Sequence, residues 1–373
     1  MNNDYIRFTG GICRTESLPI TSKVDGLLIR VIASGLCGTD IQILKGIRNE
    51  KTEILGHEGL GVVEMDYKKN GYCFRRGQTV LINPTNRHDT NFLLGHNLPG
   101  FFQRYISIPD FAVQDGVVIS IEYKLSPLFS ALIEPVAVAL TALEAVERFS
   151  PIHYVIIGGG IIGNLIGKLL WLNKNKSSIS LVHRSNQSLE MSQNKILPFA
   201  KHFVNDTDVI ASLLNNEKTA VFVTTPKNVT NSIVSSIICN IKNNSIIDVI
   251  SGVDNVEKIN KKSPSIIYNI RAKNICPEYD DISYLQMNTH YIDDRERNSI
   301  YLTGHRGVSN KKMIKALSLL SENESLFHDM ITHVICFDQL SDFLNEIISS
   351  VDRVINDKYV LKTAILNSNR MDL

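Results

Sequence analysis

The stretch VIIGGGIIG, residues 155–163, decides how the rest of the chain is read. It places Gly158, Gly160 and Gly163 in the spacing G-x-G-x-x-G. Three glycines alone are a weak signal, because glycine is common. Here the apolar run HYVIIGG precedes them and IIGNLIGKLLWLNK, apolar at helical spacing, follows. That strand-before, helix-after context is what a dinucleotide-binding loop requires. In it Gly158 allows the tight turn, Gly160 lets backbone approach a pyrophosphate, and Gly163 lets helix and strand pack closely. The helix N-terminus then faces the phosphates. An ordinary glycine-rich turn is the plain alternative. Downstream, SISLVH, TAVFVTT (219–225) and SIIDVIS (245–251) recur as strands between helical stretches, which predicts a parallel α/β sheet and favours the cofactor reading.

An acidic residue that grips the ribose hydroxyls is expected about 20 residues beyond the loop. The chain instead reads VHRSNQS (182–188), offering His183, Arg184 and Ser185, with no carboxylate before Glu190. A carboxylate would repel a 2′-phosphate, whereas a donor-rich segment suits one. The segment therefore points to NADP(H) in preference to NAD(H), with solvated turn residues as the alternative.

Before residue 125 the pattern is different. LLIRVIASGLC (27–37) and GVVEMDY (61–67) are Val- and Ile-rich strand-like runs, and KKNGYCFRRGQ (68–78) reads as a charged loop around a turn. SPLFSALIEPVAVALTALEAVERF (126–149) is a long apolar helix, started by the pair Ser126-Pro127 and expected to be divided or kinked at Pro135. The tail reads as helical segments around MITHVICFD (330–338), then KYVLKTAIL (358–366) as a closing strand.

At 373 residues the chain is long enough for two domains. Its 39 basic and 38 acidic residues leave a formal charge of +1, which gives no electrostatic case for nucleic acid or an anionic membrane. MNNDYIRFTGG lacks the features of a signal peptide, and the apolar stretch 154–171 is broken by glycines, Asn164 and Lys168. Six cysteines, none in C-x-x-C spacing, suit a reduced, cytoplasmic setting.

GLCGTD (35–40), GHEG (56–59) and IEP (133–135) bring thiolate, imidazole and carboxylate, a typical zinc ligand set. Singly, Cys37 reads as a core cysteine, His57 as a loop histidine and Glu134 as a helix-end carboxylate. Taken with the glycine loop, GLCGTD, GHEGLGVV, EPVAVAL and VIIGGGIIG resemble, in order and approximate spacing, the landmarks of the medium-chain zinc-dependent dehydrogenase/reductase family. YLTGHRG (301–307) and MITHVICFDQL resemble that family's C-terminal segment.

The resemblance implies an α/β protein with a mostly-β, GroES-like catalytic domain over 1–150, completed by 309–373, and a doubly wound Rossmann domain over 151–308. It implies an active site in the cleft between them. One catalytic zinc would be held by Cys37, His57 and Glu134, with Glu58 as the alternative or exchanging carboxylate of the polyol branch. Thr39 would take the alcohol proton, and Ile162 would lie behind the nicotinamide. Asp40 would be a supporting residue. A small-molecule substrate and a homodimer or homotetramer are also implied. The chain departs from the pattern in three places. The loop 82–109 contains no cysteine, so no structural zinc is expected, and His88, Asp89 and His96 read as loop polar residues. Gln42 stands where some relatives carry a proton-relay histidine. The segment 255–300 is long and carries NIRAKN and DDRER, so that Arg271, Lys273, His305 and Arg306 form a group to follow. The expected reaction is hydride transfer with a polyol, cyclitol, sugar or sugar phosphate. An amino alcohol or simple secondary alcohol is the runner-up, and a non-catalytic cofactor-binding protein is the alternative from another class.

Overall fold

The computed structural model describes residues 1–20, 25–122, 125–173, 178–216, 218–242, 244–253, 264–278, 290–291 and 300–367. DDRER and most of the segment 255–300 lie outside the described residues. The chain forms two compact units, one of residues 1–134 with 310–373 and one of residues 135–309. The first division falls at Glu134/Pro135, inside the helix Ser130–Glu147.

That helix runs on through Pro135. An interior proline removes one backbone hydrogen bond. Burial offsets the loss here, because Leu132, Ile133, Val136 and Ala139 have no exposed surface. The expected division of the helix does not occur. Pro127–Glu147 is long and apolar enough to cross a membrane, but most of it is buried in the protein, as in a core helix.

The first unit is built on a sheet with strand order His333–Cys336, Thr363–Leu366, Leu27–Leu36, Glu58–Val63, Thr79–Ile82, Val118–Ser120. Tyr105–Ile108 also pairs with the start of Leu27–Leu36. The tail contributes two strands to this sheet. It also contributes the helix Leu340–Ser349, whose Leu340, Phe343, Leu344 and Ile347 recur at helical spacing and pack with Ile6, Leu36 and Ile41. Full burial of each such side chain contributes roughly 1.5–3 kcal/mol. The segment read as a charged loop at 68–78 contains a hairpin, Tyr67–Lys69 with Tyr72–Phe74, turned by Asn70 and Gly71 at φ 50° and 84°. Asn-Gly is the preferred pair for such a two-residue turn.

The second unit is a parallel sheet ordered Lys201–Val204, Ser178–His183, His153–Ile157, Thr219–Val223, Ser245–Val249, Ile300–Thr303, with the short antiparallel His290–Tyr291 at the edge. Counted along the chain, the parallel strands lie in the doubly wound Rossmann order, and the order reverses beside the strand that leads into the glycine loop.

One feature of this unit works against stability. Asp248 has no exposed surface, and neither carboxylate oxygen finds a hydrogen-bond partner among the described residues. Burial pushes its pKa up to about 7 against the opposing charge of Arg271. A raised folded-state pKa gives stability that is fully present below the unfolded value and is lost as pH rises through about 7. The Tm advantage of Asp248→Asn over the parent should therefore grow from pH 4 to pH 7 and then level off, with a ceiling on the order of 4 kcal/mol. A Tm difference independent of pH would show that Asp248 stays ionised in the fold.

Candidate metal centre and dinucleotide loop

Cys37 follows the strand Leu27–Leu36 and caps the short helix Gly38–Leu44. Its backbone N–H donates to Asp40 Oδ2 at 2.9 Å, and the Gly56 N–H donates to Asp40 Oδ1 at 3.2 Å. Buried Asp40 thus ties the cysteine turn to the GHEG turn. His57 Nδ1 faces the same Asp40 oxygen at 3.5 Å. By geometry Nδ1 makes no hydrogen bond among the described residues, so its contact with Asp40 is electrostatic.

Donor atoms of Cys37, His57 and Glu58 all lie within 4.8 Å of one another. Around a tetrahedral zinc, donors stand about 3–4 Å apart, given bond lengths of roughly 2.0–2.3 Å. Glu58 Oε1 is buried with no hydrogen-bond partner among the described residues, so it keeps lone pairs for a cation. Burial lowers the His57 pKa, but Cys37 and Asp40 outweigh it and raise it well above the ordinary value. Without metal, the donor set therefore holds a proton that a metal would displace. The residues fit a zinc ion. This triad is the one His/Cys/Asp/Glu group of metal-ligand geometry among the described residues.

Glu134 lies outside that triad, on the helix Ser130–Glu147. Desolvation raises its pKa to about 7, opposed by His57 and reinforced by Glu58. Thr39 is half-buried in the first turn after Cys37, and the Gln42 side-chain amide donates to Gly38 O at 3.4 Å.

Sequence reasoning missed two residues here. Lys362, just before the last strand Thr363–Leu366, has no exposed surface, and its ammonium donates to Glu58 Oε2. Gly35 makes room for this pair, since a Cβ there would stand 2.3 Å from Glu58 Oε2. His96, read as a loop polar residue, is buried with its ring centroid 5.1 Å from that of His57, and its Nδ1 lies 3.2 Å from Glu50 Oε1. His88 is exposed and does not join it.

In the second unit the glycine loop has the expected form. Gly158 holds φ 121° and donates its N–H to Val182 O at 2.9 Å. Gly160 caps the helix Ile161–Leu172 and has open space where a Cβ would be, as close backbone approach to a phosphate requires. A Cβ on Gly163 would stand 2.1 Å from Gly158 O. Ile162 is half-buried at the helix start. Asn164, noted in the sequence only as a polar break in an apolar stretch, donates to Gly159 O and Gly160 O, both at 3.0 Å.

His183 needs correction. It was expected to face a cofactor phosphate, but it has no exposed surface. Its Nδ1 meets Ser188 Oγ at 3.1 Å and its Nε2 meets His202 Nδ1 at 2.9 Å, while His202 Nε2 lies 2.9 Å from Leu197 O. Burial, with His202 adding to it, lowers the His183 pKa to about 4, so the ring is neutral near pH 7. Ser185 is taken up as the cap of Asn186–Met191, accepting from the Ser188 N–H at 3.4 Å. Arg184 is the member of the trio that is exposed. The other basic group is also committed elsewhere. Arg271 donates to Val249 O at 2.6 Å and to Ile250 O, and buried His305 has its pKa lowered to about 3 by desolvation and by Arg271.

Residues 23–115 match the alcohol dehydrogenase GroES-like domain. Solved structures extend the likeness over both units. The chain superposes on an alcohol dehydrogenase (rspB) from Escherichia coli complexed with NADH at TM-score 0.68, with 17% identity and 98% and 99% of the two chains covered. Galactitol-1-phosphate dehydrogenase from Escherichia coli gives TM-score 0.67, 17% identity and the same coverage. Both units therefore have the fold of these dehydrogenases, a GroES-like unit and a Rossmann-like unit. An uncharacterized zinc-type alcohol dehydrogenase-like protein of Haemophilus influenzae is 29% identical over 165 residues. That match covers 40% of this chain and 47% of the relative, so the chain spans about half the length of the curated relative.

Two outcomes test this geometry. Lys362→Met leaves Glu58 as an uncompensated buried charge and is expected to cost about 3–5 kcal/mol in denaturant unfolding of the metal-free protein. Adding Glu58→Gln should recover most of that loss, and strictly additive losses would show that the two residues do not act as a pair. In the second unit, a Cβ on Gly159 would lie 2.0 Å from His183 Nδ1. Gly159→Ala should lower Tm, and combining it with His183→Ala should cost less than the sum of the two single changes.

Proposed function

We propose that the chain is a zinc-dependent oxidoreductase that moves a hydride between NADP(H) and the carbinol carbon of a secondary alcohol or its ketone. The preferred substrates are a polyol, cyclitol, sugar or sugar phosphate. The observation that carries this reading is the convergence of Cys37, His57 and Glu58 donors within 4.8 Å.

A zinc ion on these residues supplies Lewis acidity at the substrate oxygen and lowers the alcohol's pKa. Asp40 holds the His57 ring in its ligating orientation. Lys362 neutralises one Glu58 oxygen and leaves the other for the metal. Thr39 accepts the alcohol proton at its hydroxyl oxygen while its own proton passes to water. Gln42 cannot titrate, so the path onward from Thr39 does not run through residue 42. Gly158, Gly160 and Gly163 receive the pyrophosphate, and Ile162 packs behind the nicotinamide. Glu134 serves as the second carboxylate beside the metal. With His183 buried and Ser185 acting as a helix cap, the preference for the 2′-phosphate rests on Arg184 and on the absence of a carboxylate before Glu190.

Metal content and cofactor titration test this together. Purified protein should hold one zinc per chain and bind NADPH more tightly than NADH by nicotinamide fluorescence. Cys37→Ala should abolish turnover with NADPH binding largely kept, and Arg184→Asp should reverse the cofactor preference. Full activity in Cys37→Ala would sink the metal mechanism, and equal binding of the two cofactors would sink the 2′-phosphate reading.

A further inference from the structure

Arg353 is an unexplained cation beside the metal donors. It lies in the first unit, just before the hairpin Val354–Ile355 with Lys358–Tyr359. Asp352 and Arg353 hold φ 54° and 58°, a left-handed backbone that residues other than glycine and asparagine seldom adopt. Such a conformation persists where the surroundings fix it. The Val360 N–H, donating to Arg353 O at 2.8 Å, is one such restraint.

The turn delivers the guanidinium to a specific place. The space beyond Gly38, where a side chain would begin, is filled by Arg353: Nη2 lies 3.5 Å and Nη1 3.7 Å from the ideal Cβ position, and no other atom comes within 4 Å. Gly38 is the residue that follows Cys37. The arginine is half-buried, and among the described residues its side chain has no hydrogen bond or ion pair. A partly desolvated guanidinium, always charged and with five N–H donors, leaves strong interactions unmade unless a ligand supplies acceptors. Its planar fork matches a phosphate group in bidentate fashion.

We propose that Arg353 anchors a phosphate group next to the Cys37–His57–Glu58 centre, selecting a phosphate ester of the polyol or sugar over the neutral compound. This rests on the reading of that centre as catalytic. The phosphate group has two possible sources, the substrate or the dinucleotide, and Arg353 contacts it through charge-assisted hydrogen bonds in either case.

The test compares the parent zinc enzyme with Arg353→Gln and Arg353→Lys on matched pairs of substrates, such as sorbitol and sorbitol 6-phosphate or ribulose and ribulose 5-phosphate. Arg353→Gln should raise KM for the ester about 10- to 100-fold, the worth of one charged hydrogen-bonded pair, with kcat and the neutral compound's KM little changed. Arg353→Lys should recover part of the loss. Inorganic phosphate, probed alone by thermal shift, should stabilise the parent and not Arg353→Gln. This readout needs no turnover, so it stands even if no alcohol is oxidised and the catalytic reading fails. If Arg353→Gln weakens NADPH and NADH equally and leaves the ester preference intact, the bound phosphate is the cofactor's and the selection of the ester by Arg353 is overturned. If ester kinetics, dinucleotide affinity and phosphate stabilisation are all unchanged, the proposal is overturned.

Discussion

A lysine and a glutamate, both wholly out of solvent and 304 positions apart, tie the last strand of the first unit to its metal donors. Two buried charges are expensive to desolvate, and their attraction compensates only when each holds the other. Glu58 therefore depends on Lys362. Lys362 reaches it because Thr363–Leu366 pairs antiparallel with Leu27–Leu36, Thr363 opposite Leu36, one residue from Cys37. The same strand continues the sheet to His333–Cys336. Gly35 in turn has no side chain because the Glu58 carboxylate occupies that space. The donor set is complete only when the C-terminal strand is in place, a long-range closure that local sequence does not announce.

The dinucleotide loop is supported by the opposite electrostatic choice. Behind Gly159 stand two histidines and a serine, in a line from Ser188 Oγ through His183 and His202 to Leu197 O. Ser188 Oγ also lies 3.0 Å from Gly159 O, and its single proton serves either that carbonyl or His183 Nδ1. Burial lowers the pKa of both rings, that of His183 to about 4. The middle glycine of GGG, which the motif leaves free to vary, is fixed here by the imidazole lying against it.

What the sequence made legible were contacts made within a few residues. GLCGTD, GHEG and the glycine loop each set their geometry locally, so Cys37, His57, Glu58, Gly158, Gly160 and Gly163 were all visible. The strands SISLVH, TAVFVTT and SIIDVIS were visible because each is a short apolar run between helices. His183 was misread because it ends a strand, where the pattern does not say which way the last side chain turns. His202 and Ser188, which turned it inward, lie 19 and 5 residues on and carry no motif. Lys362, His96 and Arg353 were missed for the same reason, since their roles come from the partners that tertiary pairing brings to them. Pro135 was expected to divide or kink its helix, and burial holds the helix undivided.

The two carboxylates at the metal centre differ in a way that spacing alone leaves open. Glu58 has a fixed counter-charge on one oxygen, and its other oxygen has no hydrogen-bond partner among the described residues. Glu134 has no hydrogen bond or ion pair among the described residues, and desolvation, opposed by His57 and reinforced by Glu58, raises its pKa to about 7. Of the pair, Glu58 is the carboxylate with a cation bonded to it, which compensates a buried charge there. Glu134 must lose a proton first, and a divalent cation nearby would assist that loss. The asymmetry originates in Lys362, whose ammonium bonds one carboxylate of the two.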